Sequence, residues 1–336
     1  MNRPPLREIV PVDASVAEVA AELVSGAGPY LVATHRNPDG DAVGSMLAVG
    51  RALRNAGRDA VMWHPDVPPV PDDLTFLLEP GEEITHTLPD DLADRIVVVL
   101  DCATAGRLSD HVPAALGARI INIDHHHDNG RYGDVNLIEG SASSTAEIVI
   151  GVLDAAGWPI DAAMARALHV GLVTDTGRFS YSNVTGDTLR ADARLVDAGV
   201  DVAAIGRRLY ENVPIAQVRL LGIAYSRVQA LLDGRLIVVV LELDDFAEAG
   251  TDDADGVAEA LRGIRGAEVG ALVRHLHGGG LRASLRAASD RVDVSAIARA
   301  QGGGGHRAAA GLNSPGPADA FVAWLAESVA AQLDAP

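Results

Sequence analysis

The chain of 336 residues contains no lysine, so its 27 basic residues are all arginine, and against 46 acidic residues they leave a formal charge of −19. The lack of lysine, with abundant Ala and Gly, reads as the coding bias of a GC-rich genome. The shortage of positive charge has a chemical consequence. Long nucleic acid is bound by neutralising many phosphates, and so acidic a chain offers no general basic surface for that. A short anionic substrate held by metal ions is compatible with the same charge, most of which forms an ordinary solvated face. Cysteine is nearly missing: the single Cys102 excludes an internal disulfide and fits a reducing, cytoplasmic setting. Following Asp101 inside an apolar run, it reads as a small buried residue and not as a nucleophile. Aromatics are 4% of a chain that is 48% hydrophobic, so the core must be built from Ala, Val, Leu and Ile, a mixture suited to a helix-covered parallel sheet. No run of about 18 apolar residues occurs, and Met1 to Val12 lacks an apolar segment of signal-peptide length, so neither a membrane span nor a leader is expected. No G-x-S-x-G pattern supports acyl transfer.

Length sets the prior of two domains, each able to bury a core. In the first part, strands are expected at Tyr30–Thr34, Asp59–Trp63, Arg95–Asp101 and Arg119–Asp124. The last two are continuous apolar runs ending in an acid, as in strands buried on both faces. Helical spacing marks Ala14–Ser25, Ala42–Ala56, Ile148–Ala156 and Ala162–Val173, and Ser144-Thr145-Ala146-Glu147 has the form of a capping box. The proline-rich segment Pro65–Pro80 is expected to be a surface connection. Helix follows helix from Thr185 to Arg227. Beyond it, two hairpins are expected, one turning at Asp233-Gly234 and one at Gly278-Gly279-Gly280, then helices near Val257–Ile264, Val294–Ala300 and Ala318–Leu333. The expected fold class is α/β: a parallel-sheet domain over residues 1–190 with helices on both faces, a helical linker over 191–227, and a smaller α+β domain over 228–336.

The chemistry concentrates at strand ends. His35, Asp39 and Asp41, spaced H-x-x-x-D-x-D, follow Tyr30–Ala33 directly; Asp101 ends one strand; Asp124, His125 and His126 end another; Asp175 closes a helix in Thr174-Asp175-Thr176-Gly177. In an open α/β sheet, ligands bind beyond the carboxyl ends of strands. Capping by Asp39 or Asp41 would explain the first motif by itself. The recurrence at several element ends points instead to a pair of ions such as Mn²⁺, because six donors dominated by carboxylate, with two imidazoles and no thiolate, do not suit structural zinc. A two-metal centre needs a bridging carboxylate, and Asp101, between the two motif turns, is placed for it. The run Gly302–Gly305 reads either as a linker or as a loop whose amides, with His306, cradle an anion; Arg286 reads as a surface charge or as a phosphate partner. His64, His86, His111, His169, His275 and His277 have no matching constellation.

These motifs, in this order, resemble the DHH phosphoesterase superfamily. Ser284-Leu285-Arg286 and Gly302–His306 are similar to the associated C-terminal domain of its oligoribonuclease and pAp phosphatase branch. The resemblance covers nearly the whole chain. It implies that His35, Asp39 and Asp101 hold one Mn²⁺ (Mg²⁺ or Co²⁺ in its place) and that Asp41, Asp101, His125 and Asp175 hold another. His126 and Asp101 would be catalytic, His126 orienting the attacked phosphate or leaving group, with Asp124 behind a histidine. Arg286, Gly303, Gly304, Gly305 and His306 would bind substrate, with Arg178 and Asn183 as further contacts. The implied reaction is two-metal-activated hydroxide attack on a phosphate ester of a short nucleotide: nanoRNA, pApA, pAp or cyclic di-AMP. Long nucleic acid and membranes are not expected partners, and a homodimer through the first domain is in keeping with the family. The alternatives are a family II-like pyrophosphatase, whose C-terminal motif uses a lysine this chain lacks, a longer and more basic single-strand exonuclease, and a non-catalytic nucleotide sensor.

Overall fold

A computed structural model describes residues 11–108 and 118–334; His111 and the first ten residues lie outside them. The chain divides into two compact units, one ending at Glu211 and one beginning at Asn212.

The first unit is built on six strands, β1 (Val12–Asp13), β2 (Tyr30–Thr34), β3 (Ala60–Trp63), β4 (Ile96–Leu100), β5 (Arg119–Asp124) and β6 (Val135–Ile138). Every neighbouring pair is parallel, in the order β1-β6-β5-β4-β2-β3. Its helices are α1 (Val16–Ser25), α2 (Gly40–Asn55), α3 (Ala105–Leu108), α4 (Thr145–Ala156), α5 (Ala162–Asp175), α6 (Gly186–Asp197) and α7 (Val202–Tyr210). Residue alternation in β2 and β4 sends Tyr30, Val32, Val98 and Leu100 into the large core under α1, α2, α4 and α5. Leu31, Ala33, Val97 and Val99 enter a thinner core on the opposite face, covered by Leu92 and by Leu108 of α3. That double burial is why these strands read as unbroken apolar runs. The chain leaves β2 in one direction towards β3 and returns to pair β4 on its other side. The carboxyl ends of β2 and β4 therefore flank a switch point, the position at which open α/β sheets bind their ligands.

Helices α2 and α5 approach closely because glycines line their contact. A Cβ on Gly171 would lie 2.7 Å from Ala146 Cβ and 2.8 Å from an Asp41 carboxylate oxygen. The stretch expected as a linker contains the boundary between the units: α6 and α7 precede Glu211, and α8 (Ile215–Ser226) follows it.

The second unit continues with β7 (Gln229–Leu231), β8 (Leu236–Leu241), α9 (Leu243–Ala249), α10 (Val257–Arg262), β9 (Val269–His275), β10 (Leu281–Ala287), α11 (Val294–Arg299), β11 (Gly304–His306), β12 (Ala309–Ser314) and α12 (Ala318–Leu333). Its sheet has the order β11-β12-β10-β9-β8-β7, with β8 and β9 parallel and the other pairs antiparallel. Both expected hairpins form, with Leu231 opposite Leu236 and His275 opposite Leu281. The glycine run is neither a free linker nor an open loop. Gly304–His306 is a short edge strand against β12, and a Cβ on Gly303 would sit 2.6 Å from Leu312 Cβ, so side chains are excluded by close packing. As an edge strand, β11 still turns half its backbone groups away from the ladder. No helix among the described residues is long and apolar enough to cross a membrane.

Candidate active site

Four turns of the first unit bring His35, Asp39, Asp41, Asp101, Asp124, His125, His126 and Asp175 together. Their donor atoms fall into overlapping groups within 4.8 Å: His35, Asp39 and Asp101; Asp41, His125 and Asp175; and Asp101, Asp124, His125 and His126. Asp101 joins them. Its Oδ2 lies 3.5 Å from His35 Nε2, while its Oδ1 lies 3.6 Å from His125 Nε2 and 3.6 Å from His126 Nδ1. His125 Nε2 is also 3.3 Å from Asp175 Oδ2. One carboxylate thus turns its two oxygens to different partners, the disposition a bridging ligand requires.

Local structure accounts for each placement. Asp39 is the N-cap of α2, where a single oxygen, Oδ1, accepts from the amides of Asp41 and Ala42. The capping role and a ligand role are therefore compatible, since Oδ2 is not used by the cap. Asp41 is fully buried and its carboxylate accepts from the Thr145 and Ala146 amides at 2.6 and 2.8 Å, which sets it at the positive end of α4. Thr145 Oγ1 donates to Asp101 Oδ1 at 3.0 Å. The expected capping box is only half formed: Ser144 accepts from the Glu147 amide, but Glu147 turns back to Ser143 and Thr188. Non-glycine residues with positive φ cluster here, namely Asn37 (52°), Asp101 (54°), Arg178 (61°) and Phe179 (59°). Such conformations cost about 1–2 kcal/mol each and persist where the surroundings over-determine them.

Several supporting residues carry no motif. Asn129 donates through Nδ2 to Asp124 Oδ2 (2.6 Å) and to the Cys102 carbonyl (3.2 Å), tying the turn after β4 to the turn after β5. Asp124 Oδ1 in turn lies 2.7 Å from His126 Nδ1. His64, which has no sequence constellation, holds the His35 carbonyl through Nε2 at 2.6 Å. Arg107 reaches His35 Nδ1 at 3.0 Å, and its own carbonyl accepts from the Arg36 amide. Only the interval of five residues between Asp124 and Asn129 could have drawn attention to any of these; the rest depends on tertiary contact.

The other expected contacts are placed differently. Asn183 donates to the carbonyls of Ser143 (2.8 Å) and Asp175 (3.2 Å), bracing the end of α5. Arg178 lays its guanidinium over the Tyr210 ring, 4.3 Å from the centroid. In the second unit, Arg286 pairs with Glu259 through Nε and also donates to the Leu285 carbonyl. Cys102 is fully buried, and burial pushes its thiol up to about 11, so it is inert as a nucleophile.

The donor set fits divalent cations. Burial first, then the charges of Asp101 and Asp39, push the Asp41 carboxyl well above its usual range; burial and Asp41 do the same to Asp175. Burial opposes the charge of Asp101 as well, but the hydrogen bond from His35 and the nearby His126 and His125 hold it low. Burial lowers His126, yet its bond to Asp124 and the charge of Asp101 raise it to about 9. Carboxylates whose charge is disfavoured by burial and by one another are a set that a divalent cation would relieve.

A pH dependence follows. The proton that native His126 keeps up to about 9 leaves the unfolded chain near 6.5, so its contribution to stability is whole below 6.5 and is lost towards 9. The raised Asp41 and Asp175 act in the same direction, and Asp101, lowered, acts only at acid pH. The metal-free protein loses stability over this window, and a cation held by the carboxylates, with fewer protons on Asp41 and Asp175 to displace as pH rises, would stabilise it more at the upper end. Thermal unfolding with Mn²⁺ and with chelator, at about pH 6 and pH 9, should give the larger Mn²⁺-dependent rise in Tm at pH 9; equal rises would refute the argument.

Residues 29–172 match the DHH family, N-terminal domain, and residues 233–331 match the DHHA1 domain. A curated relative from Thermus thermophilus, named bifunctional oligoribonuclease and PAP phosphatase NrnA, is 35% identical over 89% of this chain and 88% of its own length. The chain belongs to the DHH family. A Bacillus subtilis relative of the same name is 28% identical over 83% of this chain and 87% of its own. The fold is also that of an exopolyphosphatase-related protein from Bacteroides fragilis, with a TM-score of 0.81 at 21% identity, covering 94% of this chain and 96% of that one. RecJ of Thermus thermophilus in complex with Mn²⁺ covers 99% of this chain and 56% of its own with a TM-score of 0.54 at 16% identity. The protein is a DHH-family phosphoesterase, an enzyme with a metal-capable acid and histidine cluster at the carboxyl ends of a parallel sheet.

Proposed function

We propose that this protein is a Mn²⁺-dependent phosphoesterase acting on short nucleotides: nanoRNA, pApA, pAp and cyclic di-AMP, released as mononucleotides. The observation that carries the reading is Asp101, whose two oxygens face His35 on one side and His125 and His126 on the other. His35, Asp39 and Asp101 would hold one ion, and Asp41, Asp101, His125 and Asp175 the other. Bound there, two ions would supply charge neutralisation at the phosphoryl oxygens and a more acidic attacking water. His126, fixed by Asp124, which together with Asp101 raises it in the metal-free chain, would donate a proton to the departing oxygen. Thr145 steadies Asp101, and Asn129 steadies Asp124. Arg286, Gly303, Gly304, Gly305 and His306 take up the nucleotide, Arg286 exchanging Glu259 for phosphate. Support comes from the relatives named oligoribonuclease and PAP phosphatase.

The test is hydrolysis by the purified protein, with Mn²⁺ and with chelator, of pAp, pApA, cyclic di-AMP, RNA of increasing length and pyrophosphate. Metal-dependent turnover should fall off with RNA length. A preference for pyrophosphate or for long single-stranded DNA would overturn the reading, and binding without turnover of any substrate would make the protein a sensor.

A further inference from the structure

On β10 the residues alternate cleanly: Leu281, Ala283, Leu285 and Ala287 enter the core beneath α11 and α12, while Arg282, Ser284 and Arg286 face the other way. That opposite face is covered at one end by α9 and α10 and opens at the other into a groove of about 520 Å³. Arg274, Arg282 and Arg286 all line it, and Gly304, Gly305 and Gly311 leave its floor without side chains.

Two of these arginines sit where folding alone would not put them. Arg282 and Arg274 are directly opposed on adjacent antiparallel strands. Directly opposed residues have Cβ atoms about 5 Å apart, and like charges in that register repel. Arg282 is exposed and its guanidinium has no hydrogen-bond or ion-pair partner among the described residues. Arg274 has only a 3.4 Å bond to the Asp252 carbonyl. Arg286, the arginine marked by its motif, is instead neutralised by Glu259. Acids do border the groove on the loop after α9. Of these, Asp253 spends its carboxylate on the Gln217 side chain and the Asp255 amide, and Asp252 offers Arg274 its carbonyl. A directly opposed pair of arginines, in a chain carrying −19 overall, lining a groove in which Gly304, Gly305 and Gly311 leave room beside them, is an arrangement that an anion relieves.

We propose that Arg274 and Arg282 form a second phosphate subsite, distinct from Arg286, that takes the internucleotide or terminal phosphate of a substrate longer than one nucleoside. Along a strand, Arg282 and Arg286 are about 13 Å apart at Cα, so the two positions address different phosphates of one short oligonucleotide. The inference rests on the proposed nucleotide specificity: it makes the groove a reader of length, used by di- to tetranucleotides and not by pAp.

The experiment compares the full-length protein with Arg282→Gln and Arg274→Gln on pAp and on 5′-phosphorylated di-, tri- and tetra-adenylate. In the variants KM for tri- and tetra-adenylate should rise about tenfold with kcat within twofold, while pAp kinetics stay within twofold. The dependence of log kcat/KM on log salt should flatten by about 0.7 for the longer substrates only. The Tm should not fall, because a repulsion has been removed. Kinetics unchanged on every substrate, or a uniform loss including pAp together with a lower Tm, would overturn the proposal. If the wild type hydrolyses no oligonucleotide, the functional reading fails by itself. Tri-adenylate binding in chelator still decides the subsite: weaker binding by the variants than by wild type supports it, and equal binding refutes it. Inorganic phosphate as competitor separates the sources, since displacement of tri-adenylate at equal concentration would assign the pair to the free anion and overturn the nucleotide assignment.

Discussion

Asp101→Asn should lower kcat by about 10³-fold or more while leaving the near-ultraviolet circular dichroism of the chain unchanged. Asparagine is the informative replacement because Asp101 has φ +54°, a region that Asn visits readily and Ala does not. It also keeps the acceptor that receives Thr145 Oγ1. Removing a buried charge from a paired site ordinarily destabilises. Here Asp101 also raises the cost of ionising Asp41 and Asp175, so losing it relieves repulsion as it removes attraction. The fold should survive, and Mn²⁺ titrated calorimetrically should bind with lost stoichiometry or affinity. Retained activity with full metal binding would refute the bridging role.

The second large effect is expected from His126→Gln. In the metal-free chain Asp124 and Asp101 raise the imidazole of His126 to about 9, and its bond to Asp124, which does not depend on a metal, suits it to protonate a departing alkoxide. Its loss should lower kcat on nucleotide esters by about 10²-fold or more. The defect should shrink on aryl phosphate esters, whose leaving groups depart without a proton. An equal loss on both classes would show that His126 binds or positions and does not donate.

Much of this architecture was legible in the chain. Strands β2, β4 and β5 announce themselves because both faces are buried, which leaves apolar runs, with an acid at the end of the last two, and every donor of the cluster lies just past such a run or at a helix end. The missed strands have no such signature. Strand β1 has two residues and β6 interrupts its four with Asn136, whose side chain folds back on Gly133. Strands β11 and β12, made largely of Gly and Ala, have little intrinsic preference for extended structure and are held by pairing and by close approach. Asn129, His64 and Arg107 escaped for a related reason: each acts on a backbone or ring brought near by the fold, so no local spacing records the role. Asn183 shows the converse, a polar residue beside a ligand whose amide serves the scaffold.

The bond between Asp41 and the start of α4 also bears on how the chain acquires its activity. The Asp41 carboxylate and the Thr145 amide that holds it are 104 positions apart in sequence, with strands β3 to β6 and their crossovers between them. Contacts of that range form late, after the loop entropy of parallel pairing has been met. The cluster is consequently assembled only when the first unit is complete, and a nascent or partly unfolded chain presents scattered acids with little grip on a cation. Hydrolytic competence is thereby gated by folding, and loss of the metal uptake proposed for the cluster becomes an early reporter of damage anywhere in the parallel sheet.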